Sequence, residues 1–355
     1  MYDVIVIGAG PVGCKVGEIS GKEGLQILIL EEHSETGLPV HCTGLVSHRI
    51  FDLSGVSKDV IVNTVKKARF YASNKNSLEL KSKKPAYVID RERFDRELSE
   101  RAKDSGVEIK TSTKFKGYKK GGETLEVNTN HGNFRTKILV GADGPSSTVA
   151  HAAGIKLPDS ILTAVQTTVK SDFDSDVVEL WFGPEISPEF FGWVVPENKS
   201  WGRFGLASSK KTVNYFKNFM MVRFKNLIDS KNNLAGVIRY GLIESSVSDN
   251  VILVGDAASQ VKPFSGGGLI YGLIGANFAA EACIKALEEE EYDSKFLKKN
   301  YDEAWKEKLA WPIRKGLIMS RLIHSFSVDQ LDFLFSSISK GKLTKLLEFT
   351  DMDLL

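Results

Sequence analysis

The chain has 355 residues, 42% hydrophobic and 26% charged, which is too apolar for a disordered chain and longer than one typical domain, so two lobes are expected. Lys and Arg number 47 against 45 Asp and Glu, and a net +2 excludes nucleic acid as a partner on charge balance. The 3 cysteines, at 14, 42 and 283, are too few and too scattered for a disulfide framework or a four-Cys iron–sulfur cluster, and they point to a reducing compartment.

The N-terminus, MYDVIVIGAG, has an acid at Asp3 and no basic flank, unlike a secretory signal, so a cytoplasmic location is expected. Residues 2–7 are a short apolar run of the kind found in buried parallel strands. GAGPVG follows at 8–13, then a helical stretch to about Glu23, then a second apolar run at 26–30 that ends in Glu31 and Glu32. This is a β-α-β unit. In Gly8-x-Gly10-x-x-Gly13, Gly8 permits the tight turn, Gly10 lets backbone approach a pyrophosphate, and Gly13 lets helix and strand pack closely. Pro11 suits a first helical turn, and Val12 completes the loop. Glu31 lies 18 residues past Gly13, the position of an acid on a ribose hydroxyl pair.

Residues 34–48 read as loop, and 58–84 as short strands (VIVNTV, ARFYAS, SLELKS). Asp90 to Ser105 is a predicted helix with Phe94, Leu98 and Ala102 at spacings of four. Strands are expected at Glu108–Ser112, Lys114–Lys119, Thr124–Thr129 and 137–140, the last running into GADGPSS. Residues 161–245 are rich in Val, Thr, Phe and Trp without helical periodicity, which predicts a mostly antiparallel sheet. NVILV at 250–254 leads into Gly255-Asp256, then Pro263 and Gly266-Gly267-Gly268-Leu269, a helix start offering bare amides. Gly266 to Leu287 is long enough to span a membrane, but Asn277, Glu281 and Lys285 make it a buried helix. Helices are expected over 296–355, with apolar residues from Leu317 to Leu347 as core, lid or membrane contact.

The set GxGxxG…E, GADG and GD…P…GGG, spanning residues 8–268 in this order, resembles the FAD-dependent oxidoreductases of the para-hydroxybenzoate hydroxylase-like fold. The resemblance implies an α/β, Rossmann-like FAD domain of the glutathione-reductase type. An inserted, mostly antiparallel β substrate domain and a C-terminal helical segment would complete it. The FAD domain would take 1–57, 85–155 and 246–295, the substrate domain 58–84 and 156–245, and the helical segment 296–355. Gly8, Gly10, Pro11, Val12 and Gly13 would hold the pyrophosphate, and Glu31 with Glu32 the adenosine ribose end. Asp143-Gly144 would lie by the pyrophosphate and Asp256 would hold the ribitol or pyrophosphate. Gly266, Gly267, Gly268 and Leu269 would lie by the isoalloxazine. Arg91 resembles the arginine these enzymes place near the cofactor, and Lys114 would pass the adenine with its backbone.

Two further stretches, Pro39-Val40-His41-Cys42-Thr43-Gly44-Leu45 and Pro188-Glu-Phe-Phe191-Gly-Trp193-Val-Val-Pro196, narrow the resemblance to the geranylgeranyl reductase family, digeranylgeranylglycerophospholipid reductase-like. Phe191 stands where that family's signature has Tyr, Val195 where it has Phe, and the Cys42 loop is one residue shorter. The implied activity is flavin-dependent saturation of C=C bonds in polyprenyl chains of archaeal-type lipid precursors or a quinone. Cys42, Thr43 and Gly44 would border the flavin.

An isolated alkene offers no carbonyl to polarise, so the site must hold it in near-attack geometry and exclude water. Phe173, Trp181, Phe182, Phe190, Phe191, Trp193, Trp201 and Phe204 supply apolar surface. Phe191 and Trp193 are two apart and share a strand face. His41 and Cys42 are the candidate proton donors, with Cys42 favoured by the resemblance. Cys14, Cys283 and the remaining histidines suggest packing and no metal site. An aromatic monooxygenase or halogenase on the same scaffold is the alternative, because halogenases carry a W-x-W-x-I-P motif at the Phe191–Pro196 position. NAD(P)H, ferredoxin and reduced deazaflavin all remain open as electron donors. Residues 58–84 carry 8 Lys/Arg and 2 Asp/Glu, a local +6, which would suit anionic headgroups at a peripheral membrane contact or an acidic electron-carrier protein.

Overall fold

A computed structural model describes residues 1–40, 42–72, 77–226, 228 and 230–340. His41, Leu346 and Leu347 lie outside the described residues. In chain order, β1 (Tyr2–Ile7), α1 (Pro11–Lys22) and β2 (Ile27–Leu30) form the expected β-α-β unit. Next come β3 (Leu45–Ser47), α2 (Arg49–Ser54), β4 (Ile61–Tyr71), β5 (Ser77–Ile89) and α3 (Arg91–Asp104). The strands β6 (Glu108–Lys110), β7 (Phe115–Gly121), β8 (Thr124–Thr129) and β9 (Gly132–Gly141) lead to α4 (Thr148–Ala152). A run of long strands follows: β10 (Ile161–Lys170), β11 (Val177–Gly183), β12 (Ser187–Pro196) and β13 (Trp201–Ser208). After α5 (Thr212–Phe224) and β14 (Ser230–Arg239) come β15 (Val247–Ser248) and β16 (Val251–Leu253). The described residues end with α6 (Leu269–Glu289), α7 (Ser294–Leu297), α8 (Glu303–Ser325) and α9 (Val328–Lys340).

These strands make two sheets. In the first, β16, β9, β1, β2 and β6 run parallel in that spatial order, with β15 antiparallel at one edge and the β7–β8 pair attached to the outer half of β9. Strand β1 is central, and Val4, Ile5 and Val6 are fully buried, as a strand covered on both faces requires. Helix α6 is apolar enough to pass for a membrane span by length and composition. It lies instead in the core of this lobe, with Ala276, Ala279, Ala280 and Cys283 fully buried. Cys14 is buried in the same core, and burial pushes both thiols' pKa values up.

The second sheet has the order β14-β10-β13-β12-β11-β4-β5-β3 and is antiparallel except at β11–β4. It takes more of the early chain than 58–84: β3 joins at Leu45, and β5 runs on to Ile89. The two strands expected at VIVNTV and ARFYAS are one, because a bulge between Val65 and Lys67 absorbs the register change. Helix α5 departs from the expectation of continuous sheet over 161–245. Its aromatic and β-branched residues read locally as strand, but left-handed residues at Lys211 and Lys225 bracket a helix that buries Phe219 and Met220.

The sheet has two apolar faces, and they divide the aromatic residues. Phe182, Phe190, Phe191 and Trp193 pack with Leu331 and Phe335 of α9. Phe173, Trp181 and Phe204 pack on the other face beneath α5. Trp201 is half-buried under the Lys231 ammonium, 3.8 Å from its ring centroid. The eight residues offered as apolar surface therefore do not share one lining: alternation along a strand sends neighbours such as Trp181 and Phe182 to opposite faces.

Candidate active site

Between β1 and α1 the chain reverses on Gly8, whose φ is +102° and where a Cβ would meet the Ala142 carbonyl oxygen at 2.5 Å. A Cβ at Gly13 would collide with the Gly8 carbonyl, so α1 seats on the turn only because position 13 lacks a side chain. Gly10 is different. It is the N-cap of α1, it brings no capping side chain, and a Cβ there would meet nothing within 4 Å. The first-turn amides of α1 thus face open space with no acid in the turn, which is the geometry of an anion site. Pro11 opens the helix without wasting an amide hydrogen. Val12 points inward, and Cβ atoms at Gly255 and Gly272 would lie 3.1 and 2.6 Å from its methyls.

Glu31 follows β2 and turns back to this corner. Its Oε2 accepts the Ala9 amide at 2.8 Å and its Oε1 the His33 amide at 2.9 Å. Oε1 also lies 2.7 Å from His33 Nδ1, so Oε2 is the oxygen that retains a lone pair for a further donor. Glu32 points away and pairs with Lys114 at 2.8 Å on the surface, and that ammonium holds the Glu32 carboxyl below its usual range. The Lys114 amide donates to Asn130 Oδ1 at 2.7 Å. Asp143 accepts from the Ser147 hydroxyl (2.6 Å), the Thr148 amide (2.7 Å) and hydroxyl (2.9 Å), and the Val149 amide (3.0 Å). Its carboxylate is spent on the start of α4, while Ala142 presses on Gly8 and Gly144, at φ +77°, borders open space.

A second corner lies beyond β16. Asp256 sits against Gly268, where any Cβ would strike its Oδ1. Gly268 is the uncapped N-terminus of α6, with Leu269 as the first helical residue. Among the described residues nothing donates a hydrogen bond to the Asp256 carboxylate, and burial pushes its pKa up to about 6, with the Arg91 charge opposing. Gly266 has φ +68°, and its amide donates to the Lys262 carbonyl at 2.8 Å, while the Lys262 amide donates to the Gly267 carbonyl at 3.1 Å.

Arg91, the first residue of α3, grips Asp95 with Nε and Nη2 at 3.0 and 2.9 Å. Burial works against this charge, but Asp95 and then Cys42 outweigh it and hold the guanidinium protonated. The Cys42 sulfur therefore faces a fixed cation, and it also accepts the Gly44 amide at 3.4 Å. Gly44 has φ +70°, and a Cβ there would meet Arg203 Nη1 and the Ile89 carbonyl, both at 2.7 Å. Arg203 Nη1 donates to the carbonyls of Thr43 and Ile89 while its Nε donates to Glu197 at 2.8 Å, which ties the Cys42 loop to the second sheet.

The same loop is tied to the aromatic face. Gln166 Oε1 accepts the Thr43 hydroxyl at 2.6 Å and the Trp193 indole N–H at 2.9 Å. Gln166, Gly205 and Trp193 stand in one row across β10, β13 and β12. A Cβ at Gly205 would lie 2.6 Å from the indole, so the ring reaches Gln166 only across a glycine. Phe191 packs edge-on to Trp193 at 6.2 Å and stacks on Phe190 at 4.2 Å. Phe190 in turn abuts Gly266, whose Cβ would lie 3.2 Å from its ring. His324, at the end of α8, lies 6.1 Å from the Phe182 ring, and burial pushes its pKa down to about 4, so this wall stays uncharged near neutral pH.

The structure thus gathers two clusters: Gly8, Gly10, Gly13 and Glu31 at one corner, and Cys42, Arg91, Asp256, Gly266 and Gly268 at the other, with Phe191 and Trp193 beyond Phe190. It leaves Glu32 and the Lys114 side chain on the surface and uses Asp143 as a cap. Asp95, Gln166 and Arg203 were missed from sequence as site residues, while Phe190 was among the aromatic residues offered for the apolar slot. Asp95 was findable as the i+4 partner of Arg91, whereas Gln166 and Arg203 act across strands far apart in sequence and leave no local signal.

Two uncapped helix N-termini, an acid beside the first glycine turn and an unpartnered carboxylate beside the second fit a dinucleotide laid between them with its flavin end at Gly266–Gly268. The family model described as FAD binding domain matches residues 1–297. The chain is 30% identical to the digeranylgeranylglycerophospholipid reductase of Methanosarcina acetivorans, over 96% of this chain and 89% of that protein. It is similar to the crystal structure of a geranylgeranyl bacteriochlorophyll reductase-like protein from Thermoplasma acidophilum, with a TM-score of 0.88, 26% identity and 98% and 95% of the two chains covered. The p-nitrophenol 4-monooxygenase of Pseudomonas putida shares the fold, with a TM-score of 0.78 at 19% identity and 100% and 98% coverage.

Proposed function

This chain belongs to the FAD-binding domain family and, within it, to the digeranylgeranylglycerophospholipid reductases, and from that premise we propose that it saturates C=C bonds in the geranylgeranyl chains of a prenylated glycerophospholipid. The observation that carries the reading is the contact of Phe190 with Gly266: the apolar face of the second sheet begins where the flavin end of the dinucleotide site stops. An aromatic hydroxylase of the same fold needs polar groups for a phenol, and that face supplies phenylalanines.

When bound and reduced, FAD supplies the hydride and both electrons for the alkene. The protein's own residues do the rest. Glu31 and the α1 amides hold the nucleotide end; Asp256 and the α6 N-terminus hold the flavin end. Phe190, Phe191 and Trp193 position the prenyl chain and keep water out, which is the main device open to a site with no carbonyl to polarise. Cys42 Sγ delivers the proton to the second alkene carbon and recovers one from solvent, with Arg91 and Asp95 fixing its place. Admission of the chain requires α9 to lift Leu331 and Phe335 from the aromatic face. The enzyme works in the cytoplasm at the periphery of a membrane. An acidic electron carrier docks on the exposed Lys66, Lys81 and Lys84 of β4 and β5, so its reduction rate falls with added salt.

The test is anaerobic. Holoprotein reduced with dithionite and mixed with a geranylgeranyl glycerophospholipid yields products heavier by multiples of two hydrogens, read by mass spectrometry. Flavin that stays reduced with the lipid, yet hydroxylates a phenol once oxygen is admitted, overturns the reading in favour of the monooxygenase. In the same assay Cys42→Ala keeps its flavin and turns over at least tenfold more slowly; unchanged turnover assigns Cys42 to packing.

A further inference from the structure

Helix α8 has two unlike faces. Trp305, Leu309, Ile313, Gly316 and Ser320 are buried, and Gly316 packs so closely on Pro263 that a Cβ would lie 2.9 Å from its ring. That face thus rests on the loop that carries Gly266–Gly268. The opposite face carries an exposed apolar stripe: Trp311 is 68% exposed, Ile318 61% and Leu322 56%. Spacings of seven and four put these three on one stripe, running about 16 Å along the helix. Phe333 of α9 is 75% exposed nearby in sequence.

Charge sorts with this stripe. From Lys308 to Phe326 the helix holds Lys308, Arg314, Lys315 and Arg321 and no acid. All four cations are exposed, and among the described residues none has a carboxylate partner. Elsewhere on the surface cations are commonly matched, as Arg69 is by Glu79 and Lys120 by Asp249. An exposed Trp with aliphatic neighbours, rimmed by unneutralised cations, suits the plane where acyl chains meet anionic headgroups. A protein partner would have to bring both an apolar ridge and four acids; a bilayer brings both by composition.

We propose that the outer face of α8, centred on Trp311, Arg314, Lys315, Ile318 and Leu322, docks on an anionic phospholipid bilayer. This rests on the lipid-substrate reading above and adds to it the surface through which the lipid arrives. Seated there, the enzyme would place the α8–α9 corner, whose Ile323, Leu331 and Phe335 pack on the aromatic face, against the bilayer.

The experiment is flotation of the FAD holoprotein with phosphatidylcholine vesicles made with or without phosphatidylglycerol, joined to tryptophan quenching by brominated lipid. Expected are flotation with the anionic vesicles that weakens with salt, and quenching that disappears in Trp311→Phe. Ile318→Glu abolishes flotation. The Arg314→Gln/Lys315→Gln double variant weakens it roughly twenty-five-fold, at about fivefold per charge. All three variants reduce detergent-dispersed lipid at the wild-type rate. Wild type that does not float, or Ile318→Glu that floats like wild type, overturns the proposal. So does a dimer in free solution that Ile318→Glu dissociates, which gives this face to a second copy. The two readings fail separately: lipid reduced in detergent without flotation removes only the docking surface, and flotation without lipid reduction removes only the reductase.

Discussion

Asp256 shows how one residue serves two states. Its folded pKa of about 6 lies above the ordinary value of 3.8 because burial penalises the carboxylate. A raised pKa contributes stability that is complete below pH 3.8 and is lost as pH rises through about 6. The FAD-free protein therefore carries a penalty near neutral pH that a ribityl hydroxyl donating to the carboxylate would relieve. Asp256→Asn should raise the thermal stability of the FAD-free protein at pH 7, by at most about 3 kcal/mol. The gain should shrink toward pH 4, while FAD affinity falls. Scanning calorimetry across pH and FAD titration of the apoprotein check both halves. A gain that does not change with pH would show that Asp256 does not titrate in this range. The residue was legible from the GD…P…GGG order, but its unpartnered state was not, because that depends on Arg91 and Gly268 brought in from α3 and α6.

At the scale of elements, the three-strand row Gln166–Gly205–Trp193 carries the most specific geometry in the second sheet. The indole reaches its acceptor because Gly205 leaves the intervening strand bare. Gly205→Ala should push the ring off Gln166 and free the Thr43 hydroxyl partner. The expected outcome is about 1–3 kcal/mol of lost stability, full retention of FAD, and slower lipid reduction with a changed Trp fluorescence. A variant that is destabilised but reduces lipid normally would make Trp193 a packing residue. The pairing of Phe191 with Trp193 was readable from a spacing of two. Helix α5 was not readable, since its aromatic and β-branched residues have strand propensity and become helical only by burying Phe219 and Met220 against the sheet. The same lack of long-range information put Phe173, Trp181 and Phe204 in the wrong lining.

For the whole molecule, α8 joins the two lobes: Trp305, Leu309 and Ile313 enter the core of the FAD lobe and Ile323 meets the aromatic face of the other. The lobes should therefore unfold together. Saturating FAD at a hundred times its dissociation constant should add about 2.7 kcal/mol to the single transition. Fluorescence and far-UV circular dichroism scans with and without FAD would test this, and two resolved transitions would contradict it. The local +6 of residues 58–84 is also reshaped at this scale, because Glu79 pairs with Lys67 and Arg69, and Asp174 reaches Arg69 from outside the segment. On α8, by contrast, exposed cations with no carboxylate partner among the described residues stand beside exposed apolar surface. The sequence by itself determined the glycine turns, the acid after β2, the order of the three cofactor motifs and hence the α/β lobe, because each is a local demand on backbone conformation or residue spacing. Only the tertiary structure decided which face of the second sheet each aromatic ring joins, what Gln166 and Arg203 hold, and which side of α8 is left to solvent, because those depend on contacts between residues tens to hundreds of positions apart.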